Sequence, residues 1–167
     1  LLDQVLTSDQ YAKNVKTKPE SDDFVEFAIK LPGRNGKCDD VLWLPIDAKF
    51  PQDYYHALTT AQDGGDKAKI LKAERDLDTR IKQEAKQIQL KYLEPPHTTD
   101  FGIMFLPTEG LYAEVLRRPE LFECLQKDYR ILVAGPTNLA ALLNSLQMGF
   151  KTLAIEKRSS EVWQLLT

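Results

Sequence analysis

The chain has 167 residues, of which 43% are hydrophobic and 28% are charged, and this balance is typical of a single soluble globular domain. No run approaches the roughly 18 apolar residues that a membrane-spanning helix needs. The net charge of −3 argues against bulk electrostatic attraction to nucleic acid, although an acidic protein can still carry a local basic patch. The two cysteines form no CxxC pair, so neither a disulfide scaffold nor a zinc site is indicated.

Helical structure is predicted at both ends of the chain. Thr7 or Ser8 is suited to cap a short helix over residues 9–15, and a polar stretch then leads into the first strand. Residues 1–6 and 161–167 also read as pieces of helices. We therefore expect the chain to be the folded core of a longer protein.

Two neighbouring strands are predicted over residues 24–31 and 41–50. The turn-rich residues 32–36 begin the link between them, which indicates an antiparallel pair. Pro45 cannot donate a hydrogen bond to a neighbouring strand, so an edge or a bulge is expected at that point of the second strand.

A long amphipathic helix is predicted over residues 66–93, between the breaker Asp63-Gly64-Gly65 and the pair Pro95-Pro96. Its apolar residues recur at steps of three or four: Ile70, Ala73, Leu77, Ile81, Ala85, Ile88 and Tyr92. One stripe of this helix is therefore expected to be buried, and its other faces carry charge.

The remaining elements alternate between helices and strands. In chain order they are a helix over residues 53–61, a strand over 101–106, helices over 109–117 and 119–127, a strand over 130–134, and a long helix that starts near residue 136. A hairpin followed by strand–helix–strand crossovers predicts an α/β domain, with a mixed central sheet flanked by helices on both faces. A dinucleotide-binding fold is not predicted, because no GxGxxG follows any strand.

The most informative residues are an acid and a base near the end of the second strand. Asp47 and Lys49 are expected to point the same way, because side chains alternate between the faces of a strand. Glu26 interrupts the apolar run of the neighbouring strand. Two carboxylates and a lysine on adjacent strands suit metal-assisted phosphodiester hydrolysis. The alternative is a surface ion pair.

A second acid-x-Lys triplet, Glu84-Ala85-Lys86, lies in the long helix. Residues two apart do not share a face of a helix, so this triplet is predicted to be solvated surface.

Several separated segments closely resemble the DNA recombination RmuC family. They are QYAKN at residues 10–14, VEFAIKLPG at 25–33, WLPIDAKFP at 43–51, KY at 91–92, TDFGIMFLPTEG at 99–110 and GPTNL at 135–139. The resemblance implies one nuclease-like domain over residues 1–167, with the restriction-endonuclease-like core of the PD-(D/E)xK superfamily. It further implies that the sequence is a fragment, without the N-terminal anchor and coiled-coil part of the family.

The resemblance also assigns roles within the motif. Asp47 and Lys49 match its (D/E)xK half, whereas Glu26 departs from the pattern, standing where many relatives have the aspartate of a Pro-Asp pair. The implied metal ligands are Glu26, Asp47 and the backbone carbonyl of Ala48, holding Mg²⁺ or Mn²⁺. Lys49 would orient the attacking water or stabilise the charged phosphorus centre. The implied activity is that of a metal-dependent DNA endonuclease in recombination or rearrangement control.

The resemblance implies that the partner is DNA. Arg80, Gln83 and Lys86 on the long helix are weak candidates for contacts with phosphates, against the alternative of a solvated face. A homo-oligomer through the long helices is also expected. The implied location is the cytoplasmic face of the bacterial inner membrane, with membrane contact only through the absent N-terminal region.

The residues leave further functions open. A DNA-binding module that keeps the groove but lacks a complete metal site is consistent with the missing Pro-Asp pair and the acidic net charge. A scaffold is the third reading, in which the stripe of the long helix would be buried against another subunit.

Overall fold

A computed structural model of the chain describes residues 4, 6–32 and 41–166, apart from the side chains of residues 32, 147 and 150–158. Its strands are β1 Tyr11–Val15, β2 Val25–Pro32, β3 Val41–Ala48, β4 Gly102–Phe105 and β5 Ile131–Ala134. Its helices are α1 Gln52–Gly64, α2 Lys67–Tyr92, α3 Glu109–Leu116, α4 Pro119–Lys127 and α5 Pro136–Leu166.

The strands form one five-stranded sheet in the order β1-β2-β3-β4-β5. Strands β1, β2 and β3 pair antiparallel, with Phe27 opposite Ile46 at one end of the β2–β3 ladder. Strands β3, β4 and β5 pair parallel, and Ile46 lies opposite Ile103. The predicted hairpin and the mixed α/β sheet flanked by helices are thus confirmed. The predicted turn over residues 33–36 lies outside the described residues.

Strand β1 replaces the helix predicted over residues 9–15. A turn at residues 8–10 precedes it, closed by a hydrogen bond from the Gln10 N–H to the Thr7 carbonyl at 2.9 Å. From there Tyr11 pairs with Ile29 and Val15 with Val25. The helix prediction was wrong because so short a helix is marginal by itself, whereas pairing with β2 satisfies the backbone along the whole segment.

Pro45 lies in an interior strand rather than at an edge. It stands opposite Ala28 in the ladder with β2. On its other side, β3 makes an isolated bridge from Trp43 to Thr98 and begins its ladder with β4 only at Ile46. The proline therefore sits at a gap in the parallel pairing, where its missing N–H removes no ladder hydrogen bond.

The sheet separates two apolar layers, because alternate residues of its strands point to opposite faces. On one face Met104, Ile131 and Val133 pack with the stripe of α2 and with residues of α1, α3 and α4. The predicted stripe is confirmed, since its buried residues are Ala73, Leu77, Ile81, Ala85 and Ile88, with Ile70 and Tyr92 packed beside them. On the other face, Leu139 and Leu143 of α5 pack over a second group of strand residues: Ile29, Leu44, Ile46, Ile103 and Ala134.

Side-chain capping fixes where helices α2 and α3 begin. Asp66 accepts hydrogen bonds from the N–H groups of Ala68 and Lys69 at the start of α2, and Thr108 caps α3 through Leu111. The side chains of Phe150 and Leu153, which sequence periodicity adds to the core face of α5, lie outside the described residues. None of the helices in the described part of the chain combines the length and apolar character that crossing a membrane requires.

Candidate active site

The candidate site lies where β3 ends beside helix α2. Asp47 belongs to the last two residues of β3, and Lys49 follows the strand directly. The Lys49 N–H still donates to the carbonyl of Phe105, at 3.0 Å, so its backbone stays ordered against β4. The structure brings both side chains to the same place, as the alternation of strand side chains predicts.

The Lys49 ammonium holds two carboxylates together. Its Nζ atom lies 3.2 Å from Asp47 Oδ2 and 3.3 Å from Glu84 Oε2. Glu84 is in turn paired with Arg80 one helical turn earlier, with 2.5 Å between Nη2 and Oε1. We call these residues, Asp47, Lys49, Arg80 and Glu84, the strand-end cluster. It connects the end of the central strand β3 to α2 through ion pairs.

Burial sets the electrostatics of the strand-end cluster. Asp47 is only 8% exposed. Desolvation raises the pKa of its carboxyl, and the negative charges of Glu84 and Glu26 add to the rise, while Lys49 opposes it. Desolvation also disfavours the charge on Lys49, but contacts with Asp47 and Glu84 outweigh it and raise the pKa of Lys49. The lysine is thus held as a cation, and the acids around it repel one another.

Glu26 lies beside this cluster rather than inside it. It immediately precedes Phe27, whose partner Ile46 immediately precedes Asp47, so Glu26 and Asp47 are at neighbouring positions at the end of the ladder. The Glu26 side chain is exposed, and its charge contributes to the raised pKa of Asp47. Ala48 is paired with Phe105 in the parallel ladder, which fixes the backbone that carries its carbonyl.

Glu84 is the site residue that sequence reasoning missed. The prediction of a solvated helix surface for Glu84 was wrong, because its side chain is only 13% exposed and carries two ion pairs. The pattern contained a usable signal. Glu84 lies three residues after Ile81 and four before Ile88, so it borders the buried stripe, and Arg80 at i−4 offers it a partner.

The three weak candidates for DNA contact lie at different places in the structure. Arg80 belongs to the strand-end cluster, where its guanidinium forms an ion pair with Glu84. Gln83 and Lys86 are exposed on the outer surface of α2. Only Arg80 is therefore brought to the candidate site.

Tyr92 is a further residue whose pKa is affected by the charges of the strand-end cluster. Burial raises the pKa of its hydroxyl, the charge of Asp47 adds to the rise, and Lys49 opposes it. Its ring packs against the small apolar group formed by Val15, Val25 and Ala28. Tyr92 thus borders the inner side of the site, at the end of the stripe that sequence periodicity placed it on.

The donor set suits a hydrated divalent cation. Across the described ranges, no group of three or more His, Cys, Asp or Glu side chains is arranged to hold a metal ion. However, Mg²⁺ usually keeps several waters and takes only one or two protein carboxylates. The Asp47 Oδ2 atom is buried without a hydrogen bond of good geometry among these residues, although it lies in ion-pair range of Lys49. Asp78 Oδ1 and Glu94 Oε2 are in the same condition elsewhere in the described chain, so Asp47 is distinguished as a ligand candidate by its neighbouring acids Glu84 and Glu26.

A second buried ionic cluster lies between helices α2, α3 and α4. Arg118 Nε contacts Asp78 Oδ1 at 2.5 Å, and Arg118 Nη1 lies 3.4 Å from Glu114 Oε2. Arg117 Nη1 donates to Glu114 Oε1 at 2.9 Å. We call Asp78, Glu114, Arg117 and Arg118 the inter-helix cluster. Its carboxylates face arginines, and it contains no residue of the sheet.

Comparison with known proteins gives a consistent family assignment. The model of the RmuC family matches residues 1–167. Proteins named DNA recombination protein RmuC homolog, from Xylella fastidiosa strains Temecula1 and 9a5c, are 55% identical over 166 residues. The match covers 99% of this chain and 36% of each relative, so the chain spans about a third of their length. No solved structure matches the chain significantly.

Proposed function

Since the chain belongs to the RmuC family, we propose that it forms the catalytic domain of a metal-dependent DNA nuclease that acts in recombination. The observation that carries this proposal is the Lys49 ammonium held between Asp47 and Glu84 at the end of a sheet strand. The curated relatives are named DNA recombination proteins, which supports DNA as the substrate.

The proposed chemistry is hydrolysis of a phosphodiester bond at the strand-end cluster. The ligands of Mg²⁺ or Mn²⁺ would be Asp47, Glu26 and the Ala48 carbonyl. Glu84 would act as a further ligand or as the partner of Lys49. A cation bound there would supply a water of lowered pKa and positive charge beside the phosphate. Lys49 remains protonated because of its carboxylate neighbours, so it can donate hydrogen bonds to the attacking water or to a phosphate oxygen.

The topology supports placing the domain in the PD-(D/E)xK superfamily. An antiparallel pair, β2–β3, is extended by the parallel strands β4 and β5, and helices cover both faces. The (D/E)xK residues then stand at the end of the strand shared by both kinds of pairing. This is the arrangement that a restriction-endonuclease-like core would require, and the superfamily assignment is part of the proposal.

A non-catalytic DNA-binding module is the second candidate. Lys49 already pairs with Asp47 and Glu84, and these contacts need no metal. This module is also favoured because Glu26 replaces the aspartate of the Pro-Asp pair that many relatives have. A scaffold that uses the stripe of α2 receives less support, because the chain's own core covers that stripe. A homo-oligomer through the long helices would need a different surface. Anchoring at the inner membrane stays a prediction about other parts of the protein.

Cleavage assays with matched variants test the proposal. The parent, Asp47→Asn and Lys49→Ala proteins would be incubated with linear, branched and single-stranded DNA in Mg²⁺ or Mn²⁺, and in chelator. Lys127→Ala is the control, because Lys127 is an exposed lysine of α4 that pairs with Glu123 and makes no contact in the strand-end cluster. We expect metal-dependent cleavage that both site variants lose and the control retains. DNA binding without cleavage, equal in metal and chelator, would establish the binding module instead.

A further inference from the structure

The two carboxylates that share Lys49 are not equivalent. Glu84 has a cation at each of its oxygens, since Lys49 Nζ lies 3.3 Å from Oε2 and Arg80 Nη2 lies 2.5 Å from Oε1. Asp47 has Lys49 alone, at 3.2 Å from Oδ2, and forms no other ion pair with the described residues. Lys49 is therefore the second cation of Glu84 but the sole cation of Asp47.

Hydrogen bonding shows the same difference. Asp47 Oδ2 is buried and lacks a hydrogen bond of good geometry within the described part of the chain, and no oxygen of Glu84 is in that condition there. A buried oxygen without a hydrogen bond is unfavourable, and so is a buried charge beside like charges. Glu26 adds such a like charge near Asp47. Asp47 thus retains the capacity to bind a further cation, whereas Glu84 is satisfied by its two partners.

We propose that Glu84 is a positioning residue that holds Lys49, and that Lys49 takes the place of the metal ion at Asp47 in the metal-free protein. When Asp47 binds a divalent cation, the ammonium gives up Asp47 Oδ2, stays with Glu84 and turns toward the substrate phosphate. The inference rests on the proposed function, and it assigns to Glu84 the role of lysine partner rather than that of metal ligand.

Lys49 can make this change without any movement of the sheet. Its N–H donates to the Phe105 carbonyl at 3.0 Å, which holds its backbone at the end of β3. Its side chain is 30% exposed, more than those of Asp47 and Glu84 at 11% and 13%. A lysine side chain is a flexible stem whose ammonium can exchange a carboxylate for water or a phosphate oxygen. The buried acids therefore stay in place while the exposed end of the lysine moves.

Calorimetric titration with Mn²⁺ tests the competition at Asp47. Lys49→Met keeps a long side chain but removes the charge, so it should bind Mn²⁺ on the order of tenfold more tightly than the parent. Lys127→Met is the matched control, because Lys127 is an exposed lysine that pairs with Glu123. The Mn²⁺ affinity of this control should stay within about twofold of the parent. Equal affinity in Lys49→Met and the parent, or no Mn²⁺ binding by either, would overturn the inference.

Double variants test the role of Glu84. A metal ligand contributes to Mn²⁺ affinity whether or not Lys49 is present, whereas a positioning residue acts through the lysine. Glu84→Gln in the Lys49→Met background should therefore change the Mn²⁺ affinity by less than about threefold. Asp47→Asn in the same background should abolish binding. An equal loss of affinity in the two double variants would make Glu84 a ligand and overturn the assignment.

Nitrogen NMR of lysine-labelled protein follows the ammonium of Lys49 itself, with Lys49→Arg identifying its signal. In the parent, Mg²⁺ should shift the Nζ signal as the contact with Asp47 is lost. The signal should stay distinct from that of the exposed Lys127, because Glu84 still holds the ammonium. In Glu84→Gln, the same titration should move the signal to the position of an exposed lysine. An unchanged signal in the parent at saturating Mg²⁺ would show that the ammonium does not give way, and would overturn the inference.

These measurements keep the inference apart from the nuclease proposal, because none of them uses DNA. If Lys49 gives way to the cation at Asp47 but no DNA is cut in Mg²⁺ or Mn²⁺, the nuclease proposal fails and the separate roles of Asp47 and Glu84 stand. If DNA is cut in Mg²⁺ and Lys49→Met binds Mn²⁺ only as tightly as the parent, the nuclease proposal stands and this inference fails.

Discussion

Helix α2 contributes acids to two buried ionic clusters, one on each side of its apolar stripe. Glu84 belongs to the strand-end cluster, whereas Asp78 belongs to the inter-helix cluster. Six residues separate these acids, which places them about 120° apart around a helix. The two clusters therefore share a helix, but the side chain of Asp47 is 11% exposed and that of Asp78 is 27% exposed. The charges that surround the two aspartates also differ.

The difference lies in the balance of charge. Burial raises the pKa of Asp47, and the two acids Glu84 and Glu26 add to the rise against the single cation Lys49. Burial also raises the pKa of Asp78, but the nearby cations Arg118 and Lys82 both oppose that rise, against the single acid Glu74. An acid crowded by other acids is poorly arranged for stability and well arranged to receive a further cation. Under the proposed function, the strand-end cluster is the site and the inter-helix cluster is a structural clamp.

Arg118→Ala should have the largest effect on stability. Its guanidinium joins α2 to α3 and is 16% exposed, so its removal leaves Asp78 and Glu114 without their shared partner. We expect a loss of about 3 kcal/mol in the free energy of unfolding, measured by urea titration. Arg117→Ala is the control, because Arg117 is 68% exposed, and its effect should stay below about 1 kcal/mol. Equal losses in both variants would show that the inter-helix cluster is no clamp.

Asp47→Asn should separate activity from stability. The amide removes a buried charge that its acidic neighbours disfavour, and Lys49 keeps its contact with Glu84 at 3.3 Å. We expect metal-dependent cleavage to fall at least about 100-fold, on the scale of losing a group that stabilises the transition state. The free energy of unfolding should be equal to that of the parent or higher. A marked loss of stability would instead show that the ion pair between Asp47 and Lys49 is structural.

Glu84→Gln should have a smaller effect on cleavage, on the order of tenfold, because Asp47 still contacts the ammonium of Lys49. The informative measurement is the pH profile of the cleavage rate. Glu84 helps to raise the pKa of Lys49, so its removal should shift the alkaline limb of the profile to lower pH. Glu123→Gln, which alters an exposed ion pair with Lys127, provides the control. A lower rate with an unshifted limb would mean that Glu84 does not act through Lys49.

The sequence predicted most of the fold because its signals were periodic or local. The spacing of Ile81, Ala85 and Ile88 predicts the buried stripe of α2, and the alternation along β3 places Asp47 with Lys49. Strand β1 was missed because its stability comes from pairing with β2, which no local pattern shows. The ion pair of Glu84 with Lys49 was missed for a related reason, because Lys49 lies far away in the sequence.

The pH dependence of stability is the finest test of the contrast between the clusters. The pKa of Asp47 in the folded protein is raised above its usual value of 3.8, so the folded state binds the proton more tightly than the unfolded state. Stability is therefore lost as the pH rises from 3.8 through the folded pKa. Asp47→Asn lacks this loss, so its stability relative to the parent should increase with pH across that window and then level off.

Asp78→Asn should show a slope of the same sign, because the pKa of Asp78 is also raised. At neutral pH Asp78→Asn should gain less stability over the parent than Asp47→Asn does, because Arg118 and Lys82 oppose the rise in the pKa of Asp78, whereas Glu84 and Glu26 add to the rise in the pKa of Asp47. Urea titrations at several pH values would measure both quantities. Equal gains in the two variants would mean that burial alone sets the pKa of both aspartates, whereas a smaller gain in Asp78→Asn would mean that the cations around Asp78 offset more of the cost of its burial.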